Sequence, residues 1–218
     1  DNGMLGGFMP MGTAAYEKRG VALEVPEWSV DKCTMCNECA FICPNAAIRP
    51  FLADEAELKG APEGFITREM RGADGLQYRI QVSLEDCTGC GLCVEVCPAK
   101  EKALALQPYD TQKEQAINWA FAMTLSHKVN PVKKFSVKGS QFEKPLLEFS
   151  GACSGCGETP YVKLLTQLYG DRMMIANTTG CSSIWGASSP ATPYTTNDAG
   201  QGPAWSNSLF EDNAEYMV

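Results

Sequence analysis

The sequence has little positive charge and no long apolar run. Its 218 residues carry 18 Lys and Arg against 26 Asp and Glu, a formal net charge of −8. Because nucleic acids and anionic membranes select basic faces, this balance predicts no nucleic-acid partner and no membrane partner. No stretch reaches the roughly 18 consecutive apolar residues that a spanning helix needs. The N-terminus also lacks the basic start and cleavage pattern of a signal peptide.

Histidine is nearly absent. His127 is the only one, and we interpret it as a solvated or hydrogen-bonded helix side chain rather than a metal ligand. The remaining composition is ordinary, at 44% hydrophobic and 20% charged residues, which excludes a disordered or collagen-like chain. The length fits one large domain or two small ones.

Cysteine is the residue that the chain has in excess. There are 11, so a closed disulfide framework would leave one thiol over. The cysteines fall into clusters of four, four and three: Cys33, Cys36, Cys39 and Cys43; Cys87, Cys90, Cys93 and Cys97; Cys153, Cys156 and Cys181. Clustered thiols without a secretion signal predict metal ligation in a reducing, cytoplasmic compartment.

The first two clusters repeat one motif. Residues 33–44 read CTMCNECAFICP and residues 87–98 read CTGCGLCVEVCP, and both fit the C-x2-C-x2-C-x3-C-P run of bacterial two-cluster ferredoxins. In such runs the fourth cysteine binds the other cluster. The spacing therefore predicts two [4Fe–4S] clusters with crossed ligation, one on Cys33, Cys36, Cys39 and Cys97 and one on Cys87, Cys90, Cys93 and Cys43.

Zinc is the alternative ligand for these runs, because C-x2-C pairs also form zinc sites. A zinc site needs two pairs and no third evenly spaced cysteine, whereas both runs keep the third cysteine and the following proline. A purely structural role for the clusters is the other alternative. Neither explains the repeat as well as a pair of electron-transfer clusters.

The third group supplies fewer ligands than a cluster takes. Cys153 and Cys156 lie in CSGCGE, and Cys181 follows in TGCSS. A cubane takes four thiolates, so these residues predict a third [4Fe–4S] cluster whose fourth ligand lies outside this chain.

The pattern along the chain predicts an α+β fold in four parts. We expect a connector over 1–27, a ferredoxin-like domain over 28–106, a helix and an extended linker over 107–145, and an incomplete α/β domain over 146–218. In the ferredoxin-like part, a β-like lead precedes each cysteine run and an apolar return follows it. In the last part we expect a strand, a glycine turn, a helix over 160–169, a strand over 173–176 and a helix over 205–216.

The words CSGCGETPY and GCSSIWG, preceded by the two-cluster insert and SVKGSQFEKPLLEF, resemble pyruvate:ferredoxin oxidoreductases. The resemblance runs from about residue 18 to residue 216. It implies an internal portion of a larger multidomain polypeptide, or one piece of a split one, in which a thiamine diphosphate (TPP) binding domain follows the ferredoxin-like domain. It also implies that Cys153, Cys156 and Cys181 hold the cluster nearest the TPP, and that Glu158 and Cys181 lie at the TPP site.

The same resemblance implies the activity. Pyruvate would be decarboxylated oxidatively to acetyl-CoA and CO2, and the electrons would pass through the clusters to ferredoxin or flavodoxin. The G-D-G motif and later Asn that bind TPP and Mg²⁺ in the family are absent, so other domains would supply most of that site, and no catalytic residue is predicted here. We also expect the complete enzyme to be a homo-oligomer.

Other functions remain open at this stage. They are an oxidoreductase for another 2-oxoacid, a stand-alone polyferredoxin carrier, and a fusion that passes electrons to NADP through a flavin domain.

Overall fold

The computed structural model describes residues 10–188 and 191–207 of the chain. It confirms the predicted mixture of helices and strands. The strands are β1 Glu24–Trp28, β2 Ile48–Ala53, β3 Arg68–Glu69, β4 Gln77–Val82, β5 Leu104–Pro108, β6 Met174–Ala176 and β7 Ala204–Asn207. The α-helices are α1 Glu38–Ile42, α2 Glu55–Leu58, α3 Leu92–Glu95, α4 Glu114–Ala122, α5 Val137–Ser140, α6 Thr159–Tyr169 and α7 Cys181–Ser183. Short 3-10 helices lie at Thr13–Tyr16, Tyr109–Gln112 and Gly170–Arg172, and a π-helical turn lies at Ile184–Ser188.

The strands around the two cysteine runs pair across the repeat rather than within one copy. β1, before the first run, pairs antiparallel with β5, which follows the second run. β2, after the first run, pairs antiparallel with β4, which precedes the second run. Each return strand therefore lies beside the other copy's lead strand. This exchange carries the fourth cysteine of each run toward the other loop.

One hydrophobic core lies between the two cysteine loops and joins them. Its buried members are Met35, Cys39, Ile48, Leu52, Met70, Tyr78, Ile80, Val82, Cys93 and Leu104. Since residues of both loops and of β2, β4 and β5 share this core, the two loops are held in one packed unit.

The segment between the two runs adds elements at the side of this unit. α2 begins with a capping box, in which the Asp54 side chain accepts from the Glu57 N–H and the Glu57 side chain accepts from the Asp54 N–H. This arrangement satisfies backbone donors at the start of the helix. α4 lies within the predicted helical stretch and confirms it. The Gln81 side chain on β4 donates to the Gln115 backbone of α4, which fixes the helix against the sheet.

The predicted extended linker over 128–145 is wrong in one part, because α5 lies within it. The Ser136 hydroxyl accepts from the Gly139 N–H at 3.0 Å and caps the short helix. The chain doubles back so closely that a Cβ on Gly139 would lie 1.9 Å from the Lys133 carbonyl oxygen. The segment thus packs on the first cysteine loop, where the Lys138 carbonyl accepts from the Asn37 side chain.

The C-terminal part confirms two predicted elements. α6 covers the predicted helix over 160–169, and β6 covers most of the predicted strand over 173–176. The predicted first strand is only an isolated antiparallel bridge between Leu147 and Tyr194.

The predicted helix over 205–216 is wrong at its start. Residues 205–207 belong to β7, which pairs in parallel with β6, and residues 208–216 lie outside the described residues. The Trp205 ring packs at 6.0 Å from the Tyr194 ring. This tertiary contact and the pairing with β6 override the local helical pattern.

The N-terminal segment contacts the ferredoxin-like part, where the Gly20 N–H donates to the Glu85 carbonyl at 2.8 Å, and it also contacts the C-terminal part. The Gly12 N–H donates to the Tyr194 carbonyl at 2.7 Å, and the Thr192 N–H donates to the Thr13 hydroxyl at 2.7 Å. The predicted domain boundary at residue 27 falls inside β1. Among the helices of the described residues, none is long and apolar enough to cross a membrane.

Candidate metal centres

Four cysteines from both runs line a first cavity of about 300 Å³. They are Cys33, Cys36, Cys39 and Cys97. The apolar wall of this cavity includes Trp28, Tyr78 and Leu104. The structure therefore brings together the first three cysteines of the first run and the last cysteine of the second.

A second cavity, of about 400 Å³, has the reciprocal lining. Its cysteines are Cys43, Cys87, Cys90 and Cys93. Pro26, Ile48 and Val82 contribute apolar surface to it. Each cavity thus holds the cysteine set that the spacing of the two runs predicts for one cluster.

The loop around the first cavity bends through two left-handed residues that are not glycine. Met35 has φ 59° and Asn37 has φ 65°, a conformation that side chains other than Gly rarely adopt. The bend aims the Met35 N–H at the Cys33 sulfur, 3.4 Å away. Such hydrogen bonds to sulfur tune the potential of an iron–sulfur cluster.

The loop around the second cavity follows the same path with glycines. Gly89 has φ 65° and Gly91 has φ 75°. The Gly89 N–H donates to the Cys87 sulfur at 3.4 Å, as Met35 does in the first loop. A Cβ on Gly89 would lie 2.9 Å from the Glu24 carbonyl oxygen, so the approach of β1 requires glycine there.

Burial disfavours the ionised form of these thiols in the absence of a metal. Desolvation raises the pKa of Cys87 to about 12, and it raises the pKa of Cys93 as well. Burial, and then the charges of Cys93, Cys33 and Cys36, raise the pKa of Cys39 well above its usual value. A metal that binds these thiolates must displace protons and supply the positive charge that the protein interior lacks.

A site for a single metal ion requires several ligand side chains around one point, whereas a cluster binds each ligand at a different iron. Within residues 10–188 and 191–207, no three His, Cys, Asp or Glu side chains form a group that could hold a metal ion. The four thiolates of a cubane bind four different irons, so they need not converge on one point.

Two members of the third cysteine group, Cys153 and Cys156, lie on a loop beside the second loop. Cys153 and Cys181 are exposed and Cys156 is half-buried. The Ser154 hydroxyl donates to the Thr88 carbonyl at 3.1 Å, and a Cβ on Gly155 would lie 3.8 Å from the Cys90 Cβ. The loop that carries Cys153 and Cys156 therefore touches the loop of the second cavity.

Glu158 connects the two segments that contain the third cysteine group, CSGCGETPY and GCSSIWG. Its N–H donates to the Cys156 sulfur at 3.4 Å, and its carboxylate accepts from the Trp185 indole at 3.3 Å. Trp185 follows Cys181 by four residues. Trp185 belongs to a small C-terminal core together with Leu147, Ile175 and Tyr194. Burial and the charge of Glu158 raise the pKa of Tyr194.

His127 lies beyond the end of α4 and is exposed, so it is solvated as predicted but is not a helix side chain. It lines an open cavity together with Phe51, Lys128 and Phe142 but no cysteine.

Sequence reasoning missed the side chains that hold the first loop. Tyr78 donates its hydroxyl to the Asn37 side-chain oxygen at 2.7 Å, and Met35 and Tyr78 are fully buried. The available signal in the sequence was that Met35 and Asn37 stand where the second run has Gly89 and Gly91.

The region that contains the two four-cysteine cavities matches a known family model. Residues 32–101 match the family model of the 4Fe-4S dicluster domain. The matched residues cover most of the ferredoxin-like part of the chain, which holds both four-cysteine cavities.

Longer relatives match nearly the whole chain. The chain is 63% identical over 215 residues to the pyruvate-flavodoxin oxidoreductase of Enterobacter agglomerans, covering 99% of the chain and 18% of that protein. It is 61% identical over 215 residues to the pyruvate:ferredoxin oxidoreductase of Moorella thermoacetica, covering 96% of the chain and 18% of that protein. It is 54% identical over 213 residues to the mitochondrial pyruvate dehydrogenase [NADP(+)] of Euglena gracilis, covering 97% of the chain and 12% of that protein.

By sequence, the chain is closely related to one segment of the pyruvate-flavodoxin and pyruvate:ferredoxin oxidoreductases. It spans less than a fifth of the length of these relatives.

Proposed function

We propose that this chain is the electron-transfer segment of a pyruvate:ferredoxin or pyruvate-flavodoxin oxidoreductase. In that reaction pyruvate is converted oxidatively to acetyl-CoA and CO2, and the chain carries the electrons to ferredoxin or flavodoxin. The observation that carries the proposal is the pair of four-cysteine cavities in one packed unit.

The cavities fit [4Fe–4S] clusters by the chemistry of their donors. Each offers four thiols and an apolar wall, and thiolates are the ligands that iron–sulfur clusters take. We assign one cluster to Cys33, Cys36, Cys39 and Cys97, and the other to Cys43, Cys87, Cys90 and Cys93. When bound, such a cluster accepts and releases one electron at a time.

Contacts between the loops give the order of the clusters along the proposed electron path. We assign Cys153, Cys156 and Cys181 to a third cluster whose fourth ligand comes from outside this chain. The loop of Cys153 and Cys156 touches the loop of Cys87 and Cys90. This contact orders the sites as third cluster, second cavity and first cavity, and electrons would follow that order if the third cluster lies nearest the TPP, as the resemblance implies.

The C-terminal part supports the finer assignments. We propose that residues 146–218 begin a TPP-binding domain and that Glu158 and Cys181 lie beside the TPP. Glu158 links the Cys156 loop to Trp185, which supports a common site for the two words. Most contacts to TPP and Mg²⁺, and those to pyruvate and coenzyme A, would come from the enzyme's other domains. We further propose a boundary at residue 145 between the linker and the C-terminal part, a cytoplasmic location and a homo-oligomeric complete enzyme.

Iron analysis of the chain tests the core of this proposal. After anaerobic reconstitution we expect about eight irons per chain and two interacting [4Fe–4S]⁺ signals in the EPR spectrum of the reduced protein. An excess of iron beyond eight would report occupancy of the third site. Two tightly bound zinc ions and no iron would overturn the proposal.

A separate assay tests whether the TPP site needs residues from the enzyme's other domains. The chain alone, supplied with TPP, Mg²⁺, pyruvate and coenzyme A, should not reduce a redox dye. Dye reduction at enzymatic rates would show that the chain contains a complete TPP site.

A further inference from the structure

A buried lysine from the C-terminal part lies between the two cavities. Lys163 is on α6 and is 1% exposed. The other buried residues of α6 are Thr159, Thr166 and Gln167. The buried face of this helix is thus polar, and Lys163 is the charged residue on it.

The Lys163 ammonium binds the end of α1, the helix between the ligands of the two cavities. It donates to the carbonyl oxygens of Ala40, of Phe41 at 3.1 Å and of Cys43 at 2.9 Å. An ammonium has three N–H donors, so all of them are used. Cys39 lines the first cavity and Cys43 lines the second, and Lys163 holds the four-residue stretch that joins them.

No carboxylate neutralises this cation among its hydrogen-bond partners in the described residues. Arg49, another buried cation, is by contrast paired with Glu148. A buried cation without a countercharge is costly. The thiols of Cys39 and Cys43, at the two ends of the stretch that Lys163 holds, would become anionic thiolates when a cluster binds in each cavity.

We propose that Lys163 is a positioning residue that serves as the shared countercharge of both clusters and raises their reduction potentials. The inference rests on the proposed iron–sulfur function. An all-thiolate cluster gains one negative charge when it takes up an electron, so a fixed cation nearby stabilises the reduced form more than the oxidised form. The effect is larger for the cluster on Cys43, because Lys163 binds the carbonyl of that ligand directly.

The test compares neutral and charged replacements in the full reconstituted chain. Lys163→Met removes the charge and the donors, Lys163→Gln removes the charge but keeps an N–H donor, and Lys163→Arg keeps the charge. Lys144→Met is the control, because Lys144 lies toward Asp198 at the surface. Iron content and midpoint potentials, from EPR-monitored redox titration, are measured for each.

We expect both neutral variants to lower the potentials. The shift should correspond to about a tenfold change in the ratio of reduced to oxidised cluster, which is about 59 mV for a one-electron couple. The cluster on Cys43 should shift more. Lys163→Arg and Lys144→Met should keep the wild-type potentials.

Every other outcome also decides the question. Loss of iron in both neutral variants, with iron kept by Lys163→Arg, would support a countercharge that the clusters need for assembly. Unchanged potentials in the neutral variants, or loss of iron in all three Lys163 variants, would overturn the inference. If the wild-type chain itself bound no iron, the proposed function would fail before Lys163 came into question.

Discussion

The two cysteine loops follow the same backbone path with different residues. Met35 and Asn37 in the first loop occupy the same left-handed positions as Gly89 and Gly91 in the second. Both loops direct an N–H at the sulfur of their first cysteine at 3.4 Å. The path therefore does not depend on glycine, because the first loop adopts it without any.

Each loop compensates for this path in its own way. In the first loop the side chains do so, because Met35 fills the core and Asn37 binds Tyr78 and the Lys138 carbonyl. In the second loop β1 approaches so closely that no side chain fits at Gly89. The first loop is thus stabilised by its own side chains, and the second by a close backbone approach that glycine permits.

Removal of the fourth cysteine of one run should have the largest effect, because that residue lines the cavity of the other run. With crossed ligation, Cys97→Ser should cause the loss of the same cluster as Cys33→Ser, although Cys97 belongs to the second run. EPR spectra and iron content of the two variants should therefore match, at about four irons fewer than wild type.

The controls for this experiment lie in the other two groups. Cys87→Ser should leave a different cluster and a different spectrum, and Cys153→Ser should leave both of these clusters intact. If Cys97→Ser instead matched Cys87→Ser, the ligation would be uncrossed.

Truncation of Met35 should damage the first loop next most. Met35 is fully buried, so Met35→Ala leaves a cavity and should destabilise the protein by about 2–5 kcal/mol. The measurement is the temperature at which the cluster absorbance is lost. Met123→Ala is the matched control, because Met123 is 48% exposed. An equal effect of the two substitutions would show that the Met35 side chain does not support the loop.

The sequence predicts the cysteine sets better than the fold around them. The spacing of the two runs carries the ligation geometry itself, and the structure places Cys97 and Cys43 in the expected cavities. That these residues bind iron stays a prediction. The strands β4 and β5 were also predictable, because their apolar residues lie next to the repeated motif.

Tertiary contacts decided the elements that the sequence did not predict. Residues 205–207 pair with β6 although the local pattern favours a helix, and α5 is too short to show a periodicity. Lys163 was missed because a helical lysine is normally exposed. Its burial depends on the backbone carbonyls of a distant helix, and no local pattern records those.

Addition of a side chain at Gly89 should reveal the steric constraint of the second loop. Gly89→Ala combines a left-handed conformation, which costs about 1–2 kcal/mol, with a Cβ 2.9 Å from the Glu24 carbonyl oxygen. Gly72→Ala is the matched control, since Gly72 has φ 83° and nothing lies within 4 Å of its Cβ position. We expect Gly89→Ala to lower the temperature of cluster loss more than Gly72→Ala. Equal effects would mean that conformation alone requires glycine at position 89.

Transfer of a first-loop residue to the second loop should have the smallest effect. Gly91 has φ 75°, and a Cβ there would lie 3.7 Å from Leu106, which is an ordinary contact. Asn tolerates the left-handed conformation better than Ala. Gly91→Asn should therefore cost less than about 1 kcal/mol, and Gly91→Ala should cost about 1–2 kcal/mol. Thermal loss of cluster absorbance would rank the two variants. A Gly91→Asn variant less stable than Gly91→Ala would show that Asn37 succeeds in the first loop only because Tyr78 and the Lys138 carbonyl bind it.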